Sequence, residues 1–123
     1  MYEIALGIAS TFNWHDLLFW VHWELSVLFR RERRFDDAQS HLEHAKSHTV
    51  NDIYFLGRVA SLQAHILYGQ HRLEDARTEA LRAAEIYGKL GATTDMEHCR
   101  KLLRMIEEEL NTLVASASIC ELL

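Results

Sequence analysis

The amino-acid sequence predicts an all-α domain that is a stack of antiparallel helical hairpins. Its 123 residues contain no proline and only five glycines, too few for the turns of a strand-rich fold. Helix-capping residues recur along the chain, and the breaks between apolar segments are short. With 49% apolar and 25% charged residues and a mass of 14.3 kDa, the composition is that of one globular domain.

The first three helices follow from their start and stop signals. Asn13 with Asp16 three residues later is typical of a helix start, so the first helix is expected over about 14–32. The second is expected from about 35–37 to 47. Asn51 is the expected cap of a third helix that ends near residue 69. A short helix over residues 3–11 is left open.

The last two predicted helices lie on either side of Gly91. A fourth helix is expected over about 73–90, because glycine is the preferred residue just after a helix. Thr94 and Glu97 form a capping-box pattern for a fifth helix, which is expected to end near residues 110–111. Residues 111–123 have weak helix signals and are predicted to form a weakly structured C-terminal tail.

An internal repeat appears when the sequence is compared with itself at an offset of 38 residues. Residues 34–38 (RFDDA) then align with residues 72–76 (RLEDA), and Ser26 aligns with Ala64. Small residues thus recur where the two helices of a hairpin must approach closely. A single hairpin cannot bury its apolar face alone, so such units are expected to stack.

These residues resemble the tetratricopeptide repeat family, which implies a right-handed stack of antiparallel hairpins. The leading tryptophan of that family is replaced here by His22 and Ala60, its glycine before the second helix by Arg33 and His71, and its closing proline is absent. The positions that match are Ser26, Phe29, Phe35, Ala38, Leu42 and Ala45 in the first copy, and Ala64, Leu67, Leu73, Ala76 and Ala83 in the second.

The resemblance implies a repeat domain over residues 1–110. Its complete repeats cover about 19–52 and 57–90, and residues 94–110 form a partial third repeat. Longer segments such as RFDDAQSHLEHAKSH and RLEDARTEALRAAEIYGKLGAT resemble the C-terminal repeat arrays of fungal multidomain signal-transduction ATPases of the NACHT type. The nucleotide-binding loop of those proteins does not occur in this sequence.

Three histidines are the strongest candidates for metal chemistry. His41, His44 and His48 share one helical face, but their spacing differs from the zinc-hydrolase motif. We therefore expect a solvated histidine face, no cofactor and no catalysis, and rank a metal-dependent enzyme built on these histidines last. His22 is expected to be a separate, partly buried histidine, and Cys99 to have a packing role.

Charge and hydropathy restrict the partners. A net charge of −5 argues against nucleic-acid binding, which requires a basic surface. The longest apolar stretch, residues 17–29, is shorter than the roughly 20 residues that span a bilayer, so no membrane contact is expected. Two cysteines without a CxxC pair favour a reducing, cytoplasmic location.

The function expected from this fold is the binding of a protein or peptide in a concave groove. In the family, the first helix of each repeat lines that groove. The residues carried over by position are Trp23, Val27, Arg30, Arg31, Arg58, Ser61, His65 and Tyr68. The alternative is a structural segment that packs on further repeats or self-associates.

Two features of the first helix leave this alternative open. Its arginine cluster at residues 30–34 fits either a helix C-terminus or an anion contact. Its nearly continuous apolar surface fits either burial under residues 3–12 and the third helix, or an exposed aromatic patch at Trp20 and Trp23.

Overall fold

The computed structural model of the chain is all-α. It describes the backbone of residues 14–48 and 52–122, and side chains over 16–48 and 52–116. This part of the chain contains no strand. Its helices are α1 (Trp14–Arg31), α2 (Phe35–Lys46), α3 (Ile53–Gly69), α4 (Leu73–Leu90) and α5 (Thr93–Leu122).

Each helix packs against the next one in the chain, in antiparallel orientation. In the first hairpin, the Ser26 hydroxyl donates a 2.7 Å hydrogen bond to the Ala38 carbonyl. Between α2 and α3, the amides of Gln39 and Gln63 exchange hydrogen bonds of 2.9 and 2.8 Å. Helix α3 also contacts α1 and α5, which places these three helices side by side.

The turns that reverse the chain after α1 and α3 are built alike. Arg33 and His71 have φ values of 61° and 60°, in the left-handed region that favours glycine. In the first turn, the amide of Arg34 donates to the carbonyl of Phe29 at 2.8 Å. In the second, the amide of Arg72 donates to the carbonyl of Leu67 at 2.9 Å. Gly91, with φ 69°, ends α4 in the same conformation.

The core extends through the five helices. Alanines lie inside both hairpins: Ala38 belongs to the α1–α2 hairpin and Ala76 to the α3–α4 hairpin, and both are fully buried. Phe19 stacks on Phe55 with ring centroids 4.1 Å apart, which joins α1 to α3. Leu102 and Ile106 join α5 to the core of the second hairpin.

Three predicted helix boundaries require correction. The cap of α3 is Asp52, whose carboxylate accepts the amide hydrogens of Tyr54 and Phe55. Helix α5 begins at Thr93, so Thr94 lies inside its first turn and is not the cap. It continues through Leu122 beyond the predicted end, because no glycine or proline follows residue 110 to stop it. The tail predicted for residues 111–123 is therefore helical through Leu122.

Several expectations concern residues outside those that the structure describes. These are the short helix left open for residues 3–11, the cap at Asn13 and the cover of α1 by residues 3–12. Across the described residues, none of the five helices combines the length and the apolar content that crossing a bilayer requires.

Candidate functional site

A groove runs along the face formed by α1, α3 and α5 and has a volume of about 380 Å³. Because these helices lie side by side in parallel, residues three or four apart on each helix point to a common surface. The lining residues are Trp23, Val27, Arg30, Arg31, Arg58, Ser61, Leu62, His65, Tyr87, Asp95, His98, Lys101, Leu102 and Met105.

Seven of the eight predicted site residues line this groove, and Tyr68 does not. The Tyr68 hydroxyl lies further along α3 and donates a 2.6 Å hydrogen bond to the Glu109 carboxylate. This hydrogen bond, together with burial, raises the pKa of Tyr68. The structure therefore brings the other seven residues to one surface and assigns Tyr68 to a contact between α3 and α5.

The third wall of the groove is missing from the predicted site. Helix α5 contributes Asp95, His98, Lys101, Leu102 and Met105, and α4 adds Tyr87. The α5 residues recur at steps of three and four, which places them on one face of the helix. The sequence contains the signal that would have identified them: residues 94–110 are the predicted partial third repeat, and its first helix has groove positions equivalent to those of α1 and α3.

At one end of the groove, Arg58 is held by neighbours within the chain. Its Nε and Nη2 atoms donate to the Tyr54 hydroxyl at 3.1 and 2.8 Å, and Nη2 lies 3.7 Å from an Asp95 carboxylate oxygen. Its guanidinium carbon lies 5.6 Å from the ring centroids of both Trp20 and Trp23. Burial acts to lower the pKa of Arg58, but the Tyr54 hydrogen bond and nearby charges outweigh it and raise the pKa.

The other end of the groove carries positive charge without a matching acid. Within the described part of the chain, Arg30, Arg31 and Lys101 form no ion pair. Burial, and secondarily the charge of Arg31, lowers the pKa of Arg30. Burial also lowers the pKa of His65 to about 4, with further contributions from Arg30 and His98. His65 is therefore neutral at pH 7.

Two buried donors in the groove wall lack acceptors among the described residues. They are the indole Nε1 of Trp23 and the Nε of Arg30. A buried donor without a partner is uncommon in folded proteins, because it loses its hydrogen bonds to water without replacement. Both donors belong to α1, about two helical turns apart, so they lie on the same side of that helix. A molecule bound in the groove could provide the missing acceptors.

A second cluster of functional side chains lies outside the groove, where α2 packs on α1. His22, predicted to be separate, joins the three histidines of α2: its Nδ1 is 3.1 Å from the Nδ1 of His41. Its ring centroid lies 5.1 Å from that of His44 and 6.4 Å from that of His48. The antiparallel packing of the hairpin, which sequence spacing alone does not give, brings them together.

The histidine cluster is arranged for mutual repulsion when charged. Burial, followed by the charges of His44, His41 and His48, lowers the pKa of His22. Burial, followed by His44, lowers the pKa of His41. In the portion of the chain with described side chains, no group of three or more histidine, cysteine, aspartate or glutamate residues is arranged to hold a metal ion.

Comparison with known proteins gives no assignment by similarity. No protein-family model, curated protein or solved structure matches the chain.

Proposed function

We propose that the chain is a non-catalytic protein-interaction module whose groove binds a peptide or a helix of a partner protein. The observation that carries this proposal is the groove itself. It has a volume of about 380 Å³, its walls combine apolar and cationic side chains, and two buried donors in its wall have no acceptor among the described residues. A bound backbone or side chain would supply acceptors for these donors and cover the apolar wall.

The proposal includes a right-handed tetratricopeptide-like stack, located in the cytoplasm. In its support, the left-handed residues Arg33 and His71 are 38 residues apart and occupy the position where that family has glycine. The fully buried Ser26 and Ala64 are also 38 residues apart and occupy equivalent positions in the two hairpins. The proposed stack makes α1, α3 and α5 the groove-lining helices.

Selection from a random library of 12-residue peptides tests the proposal on the full chain. Enriched peptides are synthesised, and their dissociation constants are measured for the native chain and for Met105→Ala. Met105 lines the groove and is 40% exposed, so its truncation removes a contact surface at little cost to the fold. We expect binding to weaken about tenfold, equivalent to about 1.4 kcal/mol.

Leu81→Ala is the matched control, because Leu81 is a 51% exposed apolar residue on α4 that does not line the groove. It should leave peptide binding unchanged. Failure to enrich any peptide, or equal effects of the two substitutions, would overturn the proposed function. Arg58 and Tyr68 are less suitable probes, because both are hydrogen-bonded within the chain and their removal would disturb the fold.

A second candidate function is packing within a larger repeat array or between two copies of this chain. It is favoured by the exposed apolar side chains of Leu113 and Val114 on α5, which are 59% and 65% exposed. Sedimentation of the native chain over a range of concentrations tests self-association. A dimer that the substitution Leu113→Ser dissociates would support this candidate, and a monomer at all concentrations would exclude self-association.

A further inference from the structure

The charges that line the groove are distributed unevenly along it. Asp95 is the only acid among the described lining residues, and it already lies beside Arg58. The remaining cations are Arg30 and Arg31 from α1 and Lys101 from α5, none of them in an ion pair within the described residues. One end of the groove is therefore neutralised from within the chain, while the other has a surplus of positive charge.

Within the described residues, no acidic side chain of α1 forms an ion pair with Arg30 or Arg31. Arg30 is partly buried, and its neighbour Arg31 lowers its pKa further. Its buried Nε has no acceptor in the described part of the chain. A partly buried guanidinium with an unmatched donor is stabilised when an anion provides both a charge and an acceptor. A carboxylate is such an anion, and its two oxygens can both accept hydrogen bonds from the planar guanidinium.

We infer that the groove binds an acidic peptide segment, with a carboxylate held at the end formed by Arg30, Lys101 and His65, and that binding is accompanied by proton uptake. This inference depends on the proposed peptide-binding function and specifies the chemistry of the partner. Charge complementarity is its basis: the chain as a whole has a net charge of −5, yet this end of the groove is cationic. The cationic end of the groove thus attracts an acidic segment even though the chain as a whole is negatively charged.

Proton uptake is expected at His65, which lines the groove beside Arg30. The titratable and charged groups that line the groove together with His65 are Arg30 and Arg31 from α1, Arg58 on α3, Tyr87 on α4, and Asp95, His98 and Lys101 from α5. Burial, followed by the charges of Arg30 and His98, lowers the pKa of His65 to about 4, so His65 is neutral in the free chain. A bound carboxylate adds a negative charge and raises this pKa. Binding then takes up a proton, and affinity increases as pH falls from 7.5 to 5.5.

The test uses N-acetylated hexaglutamate amide as the probe and the hexaglutamine peptide as its uncharged match. Calorimetric titration of the full chain at pH 7.5, 6.5 and 5.5 should show that hexaglutamate binds and hexaglutamine does not. The affinity for hexaglutamate should rise severalfold as pH falls. Proton uptake is measured by repeating the titration in two buffers of different ionisation enthalpy. The lower limit of pH 5.5 keeps the probe ionised, because glutamate has a pKa near 4.3.

Two charge-removing variants on the same helix provide the matched comparison. Lys101→Met should weaken hexaglutamate binding about tenfold, since a hydrogen bond to a charged group is lost. Arg104→Met removes an equal charge from α5 at a residue that does not line the groove, and should change binding by less than about twofold. Equal effects of the two variants would show unspecific charge attraction and would overturn the inference.

Nuclear magnetic resonance of the histidine side chains checks the proton without altering the fold. The pKa of His65 in the native chain should rise on addition of hexaglutamate, and an unchanged value would contradict proton uptake. Inorganic phosphate and a 12-nucleotide uridine RNA serve as competitors. If either binds as tightly as hexaglutamate, the acidic-peptide assignment is wrong. If selected peptides bind the groove but are uncharged, the proposed function stands and this inference fails.

Discussion

The hairpins α1–α2 and α3–α4 have the same turn but differ at the end away from it. Both turns contain a left-handed non-glycine residue, Arg33 or His71. Both hairpins bury an alanine where their helices meet, Ala38 or Ala76. Each member of these pairs lies 38 residues from the other, so the equivalence covers both backbone conformation and packing.

The far ends of the two hairpins are closed in different ways. The first carries the cluster of His22, His41, His44 and His48, which is only partly buried. The residues 38 positions later are Ala60, Glu79, Arg82 and Ile86. Ala60 packs with Ala83, Tyr87 and Cys99 in a buried cluster. Cys99 and the adjoining Met96 belong to α5, so a following helix covers the second hairpin.

The turn and the contact between small residues are common to both hairpins and determine how their two helices pair. The size and polarity of the residues at the end away from the turn depend instead on the helix that packs there. Ala60 is small because Tyr87 and α5 occupy the space beside it. His22 can be large and polar because it faces the histidines of its own hairpin partner. The following experiments test how far the equivalence of the two hairpins extends.

The largest effect is expected from overpacking the hairpin contacts. Ala38→Phe and Ala76→Phe should each lower the free energy of unfolding by about 1–3 kcal/mol, because neither fully buried site has room for a ring. Chemical denaturation followed by circular dichroism measures the change. Ala115→Phe, at an exposed position of α5, is the control and should have little effect. If only one hairpin responds, the two contacts are not equivalent.

Exchanging Ser26 and Ala64 tests the contact at atomic detail. Ser26→Ala should cost about 1 kcal/mol, because it removes the hydrogen bond to the Ala38 carbonyl. Ala64→Ser should cost no more than about 1 kcal/mol if its hydroxyl reaches the Ala76 carbonyl in the same way. A cost of about 2–3 kcal/mol, as for a buried hydroxyl without a partner, would show that the second hairpin lacks this geometry.

The three left-handed residues should respond to substitution in opposite directions. Gly91→Ala should destabilise the chain by about 1 kcal/mol, because alanine is strained at φ 69°. His71→Gly should raise the thermal unfolding temperature slightly, since it removes that strain from an exposed residue. Arg33→Gly should gain less, because Arg33 also donates to the Gly69 carbonyl and lies over the Phe35 ring. A gain for Arg33→Gly equal to that for His71→Gly would show that these Arg33 contacts contribute nothing.

The smallest expected effect is a change in the pH dependence of stability. The pKa of His22 is lowered in the folded chain, so the unfolded chain binds more protons below its ordinary value of 6.5. Stability is therefore lost as pH falls through 6.5 toward the lower pKa of the folded chain. His22→Ala, which introduces the residue of the second hairpin, should lose less stability between about pH 7.5 and 5.5.

Thermal unfolding at several pH values measures this slope. His71→Asn is the control, because it also removes a histidine but lies outside the cluster at a left-handed position that asparagine tolerates. The slope of the control should match the native chain. An unchanged slope in His22→Ala would show that His22 does not contribute to the pH dependence of folding. The lowered pKa values of His41 and His65 contribute to the slope that remains in His22→Ala.

Much of the helical framework could be read from the sequence because its signals are local. The ends of α4 follow from its apolar start and from Gly91, and those of α2 and α3 are predicted within one or two residues. The exception is the C-terminal end of α5, because the segment after residue 110 contains no glycine or proline that would terminate a helix. The 38-residue repeat likewise predicted which small residues are buried, because a repeated pattern reflects a repeated contact.

The composition of the candidate site depends on contacts between side chains of different helices. The sequence predicted the groove residues of α1 and α3 but not those of α5. It also predicted Tyr68, which does not line the groove because its hydroxyl is hydrogen-bonded to Glu109. The sequence could not show that Arg58 is held by Tyr54 and Asp95 while Arg30 and Lys101 lack acids. Nor could it show that His22 meets the histidines of α2.

The helices, the turns and the repeated alanine contacts are encoded in the order of the amino acids, because each depends on residues close together in the chain or on a pattern that recurs along it. Helix packing sets the remaining properties: which charges are paired, which donors lack acceptors and which histidines repel one another. These depend on distances between side chains of different helices. A shift of a few ångströms in that packing changes them, while the pattern of apolar and capping residues stays the same.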